Sequence, residues 1–81
     1  MTIQIVAVQS NKGGFVAARI EDTQDRSKCL ALVEGVVSDK SGVHLKDVNI
    51  FDLRLLTVKE EIKDFIRDVQ WNNIRRRELV L

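Results

Sequence analysis

The 81-residue sequence contains no proline and a single cysteine, Cys29. One cysteine cannot form an intramolecular disulfide or supply a zinc site built from several cysteines. The lack of proline excludes polyproline ligands and proline-stiffened linkers. No apolar run approaches the roughly 20 residues that a membrane-spanning helix needs, and the N-terminus lacks the pattern of a signal peptide. We therefore expect a cytoplasmic protein without membrane contact, cofactor or metal.

A large excess of charge of one sign is also missing. Lys and Arg together number 13 against 12 for Asp and Glu, which gives a formal net charge of +1. A strongly basic nucleic-acid-binding protein would show a larger excess, although a local basic patch is compatible with this total. At 44% hydrophobic and 31% charged residues, the chain has a globular composition. Its length predicts one domain spanning residues 1–81.

The first third of the sequence is typical of a β-hairpin. Residues Ile3–Val8, "IQIVAV", are rich in β-branched side chains and predict a strand. The segment Ser10–Gly14, "SNKGG", supplies the asparagine and glycines that tight turns favour. A second apolar run, Phe15–Asp22, completes the predicted hairpin.

The stretch "VAVQSNKGG", Val6–Gly14, resembles the opening of the phosphate-binding loop of ParA- and MinD-type ATPases. Those loops continue with glycine, lysine and threonine, whose side chains hold phosphate and magnesium. This chain continues with Phe15-Val16-Ala17-Ala18 instead. We interpret the stretch as a hairpin turn.

The segment Thr23–Gly42 fits two structures. Its apolar residues follow the spacing of one helical face; they are Cys29, Leu30, Leu32, Val33, Val36 and Val37. Thr23 suits the start of a helix and Gly42 its end. Against a helix, Gly35 costs about 1 kcal/mol in a helix interior, and the valines after it favour a strand. We predict a helix, with a third strand over residues 28–37 as the alternative.

The remaining sequence predicts a strand, a second helix and a tail. Alternating apolar residues indicate a strand over Asp47–Leu56, and Thr57 with Glu60 matches a helix capping box. One helical face follows, made of Val58, Ile62, Phe65, Ile66 and Val69.

The tail, residues 74–81, either continues this helix or forms a short strand after two asparagines, and we favour the strand. The expected fold is α+β: a small antiparallel sheet with two helices on one face, in the order β-β-α-β-α with a short C-terminal strand.

No constellation of residues predicts catalysis. His44, the only histidine, could act as a general base with Asp47 three residues on, but catalysis also needs a nucleophile or a metal, and the sequence does not supply that set. The residues with the clearest potential for interaction form a basic row on the second helix and the tail after it. They are Lys59, Lys63, Arg67, Trp71, Arg75, Arg76, Arg77, Leu79 and Leu81.

Two functions are compatible with these residues. An apolar tail bordered by arginines is a frequent composition of protein interfaces, and exposed strand edges in so small a sheet favour dimers. This favours a non-catalytic protein-interaction module that is homodimeric. The alternative is a small nucleic-acid-binding protein that uses the basic helix and the arginine cluster.

Overall fold

A computed structural model describes residues 1–9, 14–38, 42–68 and 76–81. They form a five-stranded antiparallel sheet with one helical segment on one face. The strands are β1 (Thr2–Gln9), β2 (Phe15–Asp22), β3 (Cys29–Ser38), β4 (Gly42–Ile50) and β5 (Arg76–Val80). A 3₁₀ helix (Leu53–Val58) leads directly into α1 (Lys59–Asp68). The strand order β4-β3-β2-β1-β5 makes the first four strands a meander and brings β5 back beside β1.

Alternation along the strands divides the sheet into two faces. The inner face, which packs against α1, receives every second side chain, and the other side chains form what we call the open face. The antiparallel pairing of β1 with β2 confirms the two predicted strands of the hairpin, with Ile5 opposite Ile20 on the inner face. Residues 10–13 of the predicted turn lie outside the described residues. The core is almost wholly aliphatic and includes Ile3, Ile5, Ile20, Leu30, Val33, Leu55, Ile66 and Leu79.

The predicted first helix is wrong, because its central part is strand β3. This strand pairs with β2 on one side and with β4 on the other. Val33 and Val37 lie on the buried inner face, while Leu32 and Val36 lie on the open face. A strand with apolar side chains on both faces produces the same pairs of adjacent apolar residues as one helical face. The expected architecture of two helices on one face is therefore also wrong.

The predicted strand over residues 47–56 is shifted. Strand β4 ends at Ile50, and the backbone N–H groups of Phe51 and Asp52 then donate to the carbonyl oxygen of Leu30, at 2.8 and 3.2 Å. The chain turns there into the 3₁₀ helix. The predicted capping box is wrong as well, because Thr57 lies inside that helix and its hydroxyl donates to the carbonyl oxygen of Arg54.

Helix α1 covers the inner face as its sequence predicts. Ile62, Phe65 and Ile66 are buried on one side of it; Val69, predicted to lie on the same side, is outside the described residues. The helix begins beyond the end of β4, and the Arg67 carbonyl oxygen lies close to Gly42 at the start of that strand. It therefore runs back along β4.

A β-bulge interrupts the pairing of β3 with β4. Glu34 lies opposite Asp47 and Gly35 lies opposite Leu45, so Lys46 is left without a partner in the ladder. The two strands come close at this point, since a methyl group on Gly35 would lie 2.7 Å from Cγ1 of Val43. Glycine is thus required here for close backbone approach.

Substituting Gly35→Ala should lower the free energy of unfolding by about 1–3 kcal/mol, because the added methyl group overpacks the inner face. Chemical denaturation measures the change. In a double-mutant cycle, Gly35→Ala/Val43→Ala should lose less stability than the sum of the two single variants. Strict additivity would show that the contact with Val43 is not the cause.

The 3₁₀ helix is held at its start by Asp52. This carboxylate accepts hydrogen bonds from the backbone N–H of Arg54 at 3.0 Å and from its Nε at 2.9 Å. The side-chain hydrogen bond and then the backbone hydrogen bond from Arg54 lower the pKa of Asp52 from its ordinary 3.8 to about 2. A depressed carboxyl pKa stabilises the fold at pH values above the ordinary pKa, and this contribution is lost as pH falls towards 2.

We expect Arg54→Gln to raise the pKa of Asp52 towards its ordinary value, because the charged donor that favours the carboxylate is removed. Carboxyl carbon chemical shifts followed by NMR from pH 6 to pH 1.5 measure the midpoint. Lys63→Gln serves as the control, because Lys63 pairs with Glu60 and not with Asp52. An unchanged midpoint in Arg54→Gln would refute this assignment.

Candidate interaction surface

The basic row on α1 is balanced by acidic neighbours. Lys63 Nζ lies 3.5 Å from a carboxylate oxygen of Glu60, and Arg67 Nη1 lies 3.5 Å from a carboxylate oxygen of Asp64. The ten residues of α1, "KEEIKDFIRD", carry three basic and four acidic side chains. The structure therefore brings Lys59, Lys63 and Arg67 onto one helix without making that helix positive.

The arginine cluster is divided between the two faces of the sheet. Arg77 lies opposite Ile5 on the inner side, with its guanidinium carbon 6.0 Å from the centre of the Phe65 ring. Arg76 lies opposite Val6 on the open face. Trp71 and Arg75 lie outside the described residues. Because neighbours in a strand point to opposite sides, Arg76 and Arg77 cannot form one positive patch.

The apolar end of the tail packs within its own chain, as a strand. Leu79 lies opposite Ile3 and is only 8% exposed, and Leu81 packs against the same core. Val80, which points to the open face, is 79% exposed. The preference for a C-terminal strand is confirmed, and Leu79 and Leu81 contribute to the core of the monomer.

Within the described part of the chain, strand β5 pairs through one side of its backbone only. The N–H of Leu81 donates to the carbonyl oxygen of Met1 at 2.8 Å. In an antiparallel ladder such hydrogen-bonded pairs alternate, so Arg77 and Leu79 also direct their backbone groups towards β1. The N–H and C=O groups of Arg76, Glu78 and Val80 point away from β1, where no strand of the described chain lies. We call these outward backbone groups the β5 edge.

The sheet's other edge is less suited to pairing with another chain. Strand β4 carries the bulge, and its unpaired residue is Lys46. Bulges and edge lysines are two devices by which proteins prevent pairing between sheets. The register of β5 with β1 is continuous from Thr2–Val80 to Val6–Arg76. The β5 edge is therefore the regular edge of this sheet.

Exposed apolar side chains also lie elsewhere. Phe15 and Leu32, on the open face, are 50% and 41% exposed. A shallow cleft of about 210 Å³ lies beside Phe15, with Glu34 and Lys46 among its lining residues. This volume is below the roughly 300–1,000 Å³ typical of small-molecule sites. Around the 3₁₀ helix, Leu53 and Leu56 are exposed on the same side, because residues three apart eclipse in this helix type.

Neither a metal centre nor a membrane span is found among the described residues. No group of three or more His, Cys, Asp or Glu side chains there could hold a metal ion. Within the same ranges, no helix combines the length and the apolar character needed to cross a bilayer.

Comparison with known proteins gives no match to a family model, to a curated protein or to a solved structure.

Sequence reasoning selected the arginines of the tail and missed Glu78. This glutamate lies two residues after Arg76 on the same face of β5, between that arginine and Val80. The sequence signal that could have identified Glu78 is its opposite charge two positions after Arg76, since residues i and i+2 of a strand lie on the same face.

Substituting Leu79→Ala should lower the free energy of unfolding by about 2–5 kcal/mol, because it removes a buried side chain from the core. Val80→Ala is the matched control and should change stability by less than about 0.5 kcal/mol in the monomer, as an exposed position does. Thermal and urea denaturation at low protein concentration compare the two variants. Equal losses would contradict the placement of Leu79 in the core.

Proposed function

We propose that this protein is a non-catalytic protein-interaction module of the cytoplasm that works as a homodimer. The β5 edge is the observation that carries the proposal. Unpaired backbone donors and acceptors along a regular edge strand are a template on which another strand can pair. A compartment that keeps the thiol of Cys29 reduced agrees with the absence of any second cysteine.

The charge distribution favours a protein partner over nucleic acid. Phosphate binding requires lysines and arginines gathered on one surface. Here the described part of the basic row is interspersed with Glu60, Glu61, Asp64 and Asp68, and Arg76 and Arg77 lie on opposite faces. An acidic side chain next to each basic one repels phosphate. Nucleic-acid affinity in the non-specific range, a Kd of roughly 10⁻⁴–10⁻⁶ M at physiological salt, follows from this arrangement.

A second copy of the chain suits this edge. Two-fold dimers are the commonest oligomers of soluble proteins, and a net charge of +1 gives little repulsion between copies. Each copy supplies the same β5 edge, so antiparallel pairing would join two sheets into one of ten strands and satisfy both edges together.

The substitution Glu78→Pro should convert the dimer to a monomer, because proline removes an outward N–H and places its ring at the edge. The bonds between β5 and β1 do not use that N–H, so the circular dichroism spectrum should stay native. Light scattering at about 100 µM should give twice the chain mass of 9.3 kDa for the wild type and a single chain mass for the variant.

Glu78→Gln is the matched control, because it keeps the backbone N–H and the length of the side chain. At equal concentration this control should retain more dimer than Glu78→Pro does. A monomeric wild type would overturn the proposed function. A dimeric, natively folded Glu78→Pro would show that the copies associate through a different surface.

A further inference from the structure

The direction of the outward backbone groups restricts how two β5 strands can pair. When a two-fold axis stands perpendicular to the joined sheet, both copies keep their inner faces on the same side. Residues opposite each other must then share a face, so an even-numbered position pairs with an even-numbered position. Arg76, Glu78 and Val80 are those positions, and they carry the outward N–H and C=O groups.

Three registers place the axis on a residue between Arg76 and Val80, the two ends of this edge, and their charges differ. An axis at Glu78 places Glu78 of one copy opposite Glu78 of the second copy, and like charges directly opposite each other destabilise a sheet. An axis at Leu79 sets Glu78 opposite Val80 of the second copy. An axis at Arg77 sets Arg76 opposite Glu78 of the second copy, and the symmetry repeats this pair of opposite charges.

In this last register, Arg77 of one copy lies opposite Arg77 of the other copy on the inner face. Its guanidinium lies over the Phe65 ring of its own chain, 6.0 Å from the ring centre. A cation held over an aromatic ring is attracted to it, and this contact directs each Arg77 side chain towards its own α1. This register therefore forms two pairs of opposite charge on the open face, Arg76 with Glu78 of the other copy. It also forms one pair of like charge on the inner face, in which the two arginine side chains point away from each other.

We infer that the homodimer forms by antiparallel pairing of β5 with β5 about an axis at Arg77, so that Arg76 of each copy pairs with Glu78 of the other. This inference rests on the proposed function and specifies its partner surface. The joined sheet carries a continuous row on its open face: Glu21, Gln4 and Glu78 of one copy, followed by Arg76, Val6 and Arg19 of the second. At the interface, the acidic half-row of one copy therefore lies next to the basic half-row of the other copy.

Single-cysteine cross-linking tests the register directly. In a Cys29→Ala background, Arg77→Cys places a thiol on the axis. The two Cα atoms should then lie about 4.5 Å apart, as in a non-hydrogen-bonded pair. This is within the roughly 4.4–6.8 Å range of disulfides. In the same register, Glu78→Cys places its thiols on Cα atoms more than about 7 Å apart, which is beyond bridging distance.

Mild oxidation of the purified full chain, followed by non-reducing electrophoresis, should therefore cross-link the Arg77→Cys variant within minutes and the Glu78→Cys variant at least tenfold more slowly. Faster cross-linking of Glu78→Cys would place the axis at Glu78 and overturn the inferred register. Slow cross-linking of both variants in a protein that light scattering shows to be dimeric would overturn the register but leave the proposed function standing.

Exchanging the charges of Arg76 and Glu78 tests the register in a second, independent way, through the dimer Kd. Arg76→Glu alone should raise the dimer Kd by about tenfold, because both ion pairs become pairs of like charge. Arg76→Glu/Glu78→Arg should restore affinity to within about threefold of the wild type, since opposite charges meet again. Glu34→Arg, on the open face away from β5, is the control and should leave the Kd unchanged. A double variant as weak as the single one would overturn the pairing of Arg76 with Glu78.

Discussion

The inner face of the sheet is covered by one helical segment, and the rest of the architecture depends on that cover. Ile3, Ile5 and Ile20 are completely buried, and so are Leu55 and Ile66 on the covering segment. The chain leaves the sheet at the end of β4, runs over its inner face as the 3₁₀ helix and α1, and is next described as β5 beside β1. The helical segment buries the aliphatic core, and the strand that follows it is the last strand on the β1 side of the sheet.

Among the described residues, no helix or strand covers the open face, and no further strand pairs with either edge of the sheet. Phe15 on the open face is half exposed, whereas Gln4 on the same face is buried among its neighbours. The edges differ because the bulge at Lys46 disrupts β4, whereas β5 follows β1 without interruption. In the proposed dimer, the alternating charges of the regular edge favour a strand that carries the complementary order of charges.

Periodicity predicted some elements from the sequence and failed at others for an identifiable reason. The burial of Ile62, Phe65 and Ile66 was predictable from helical spacing, because these three residues lie on one side of α1 and charged residues occupy the other side. In β3, apolar residues occupy both faces, and the spacing of Leu32, Val33, Val36 and Val37 cannot distinguish a strand from a helix. Gly35 was the informative residue: it is unfavourable in a helix, and in the fold it allows β4 to approach closely.

The candidate interaction surface was predictable only in part. The sequence drew attention to the tail and to its arginines, but it could not assign them to faces until the strand and its neighbour were known. Strand alternation separates Arg76 from Arg77, and the pairing with β1 decides which backbone groups point outwards. Glu78 acquires its importance from that geometry, because its backbone and its side chain both lie on the unpaired side.

By itself, the sequence determined the two strands of the β1–β2 hairpin and the amphipathic helix, and it favoured a strand at the C-terminus. Each depends on residues close together in the chain, whose spacing carries the signal. Only the tertiary structure decided that β3 is a strand, that a single helical segment of the described residues covers the sheet and that β5 is its regular edge. Those features depend on contacts between distant segments such as Ile3 with Leu79, and no local pattern encodes which segments meet.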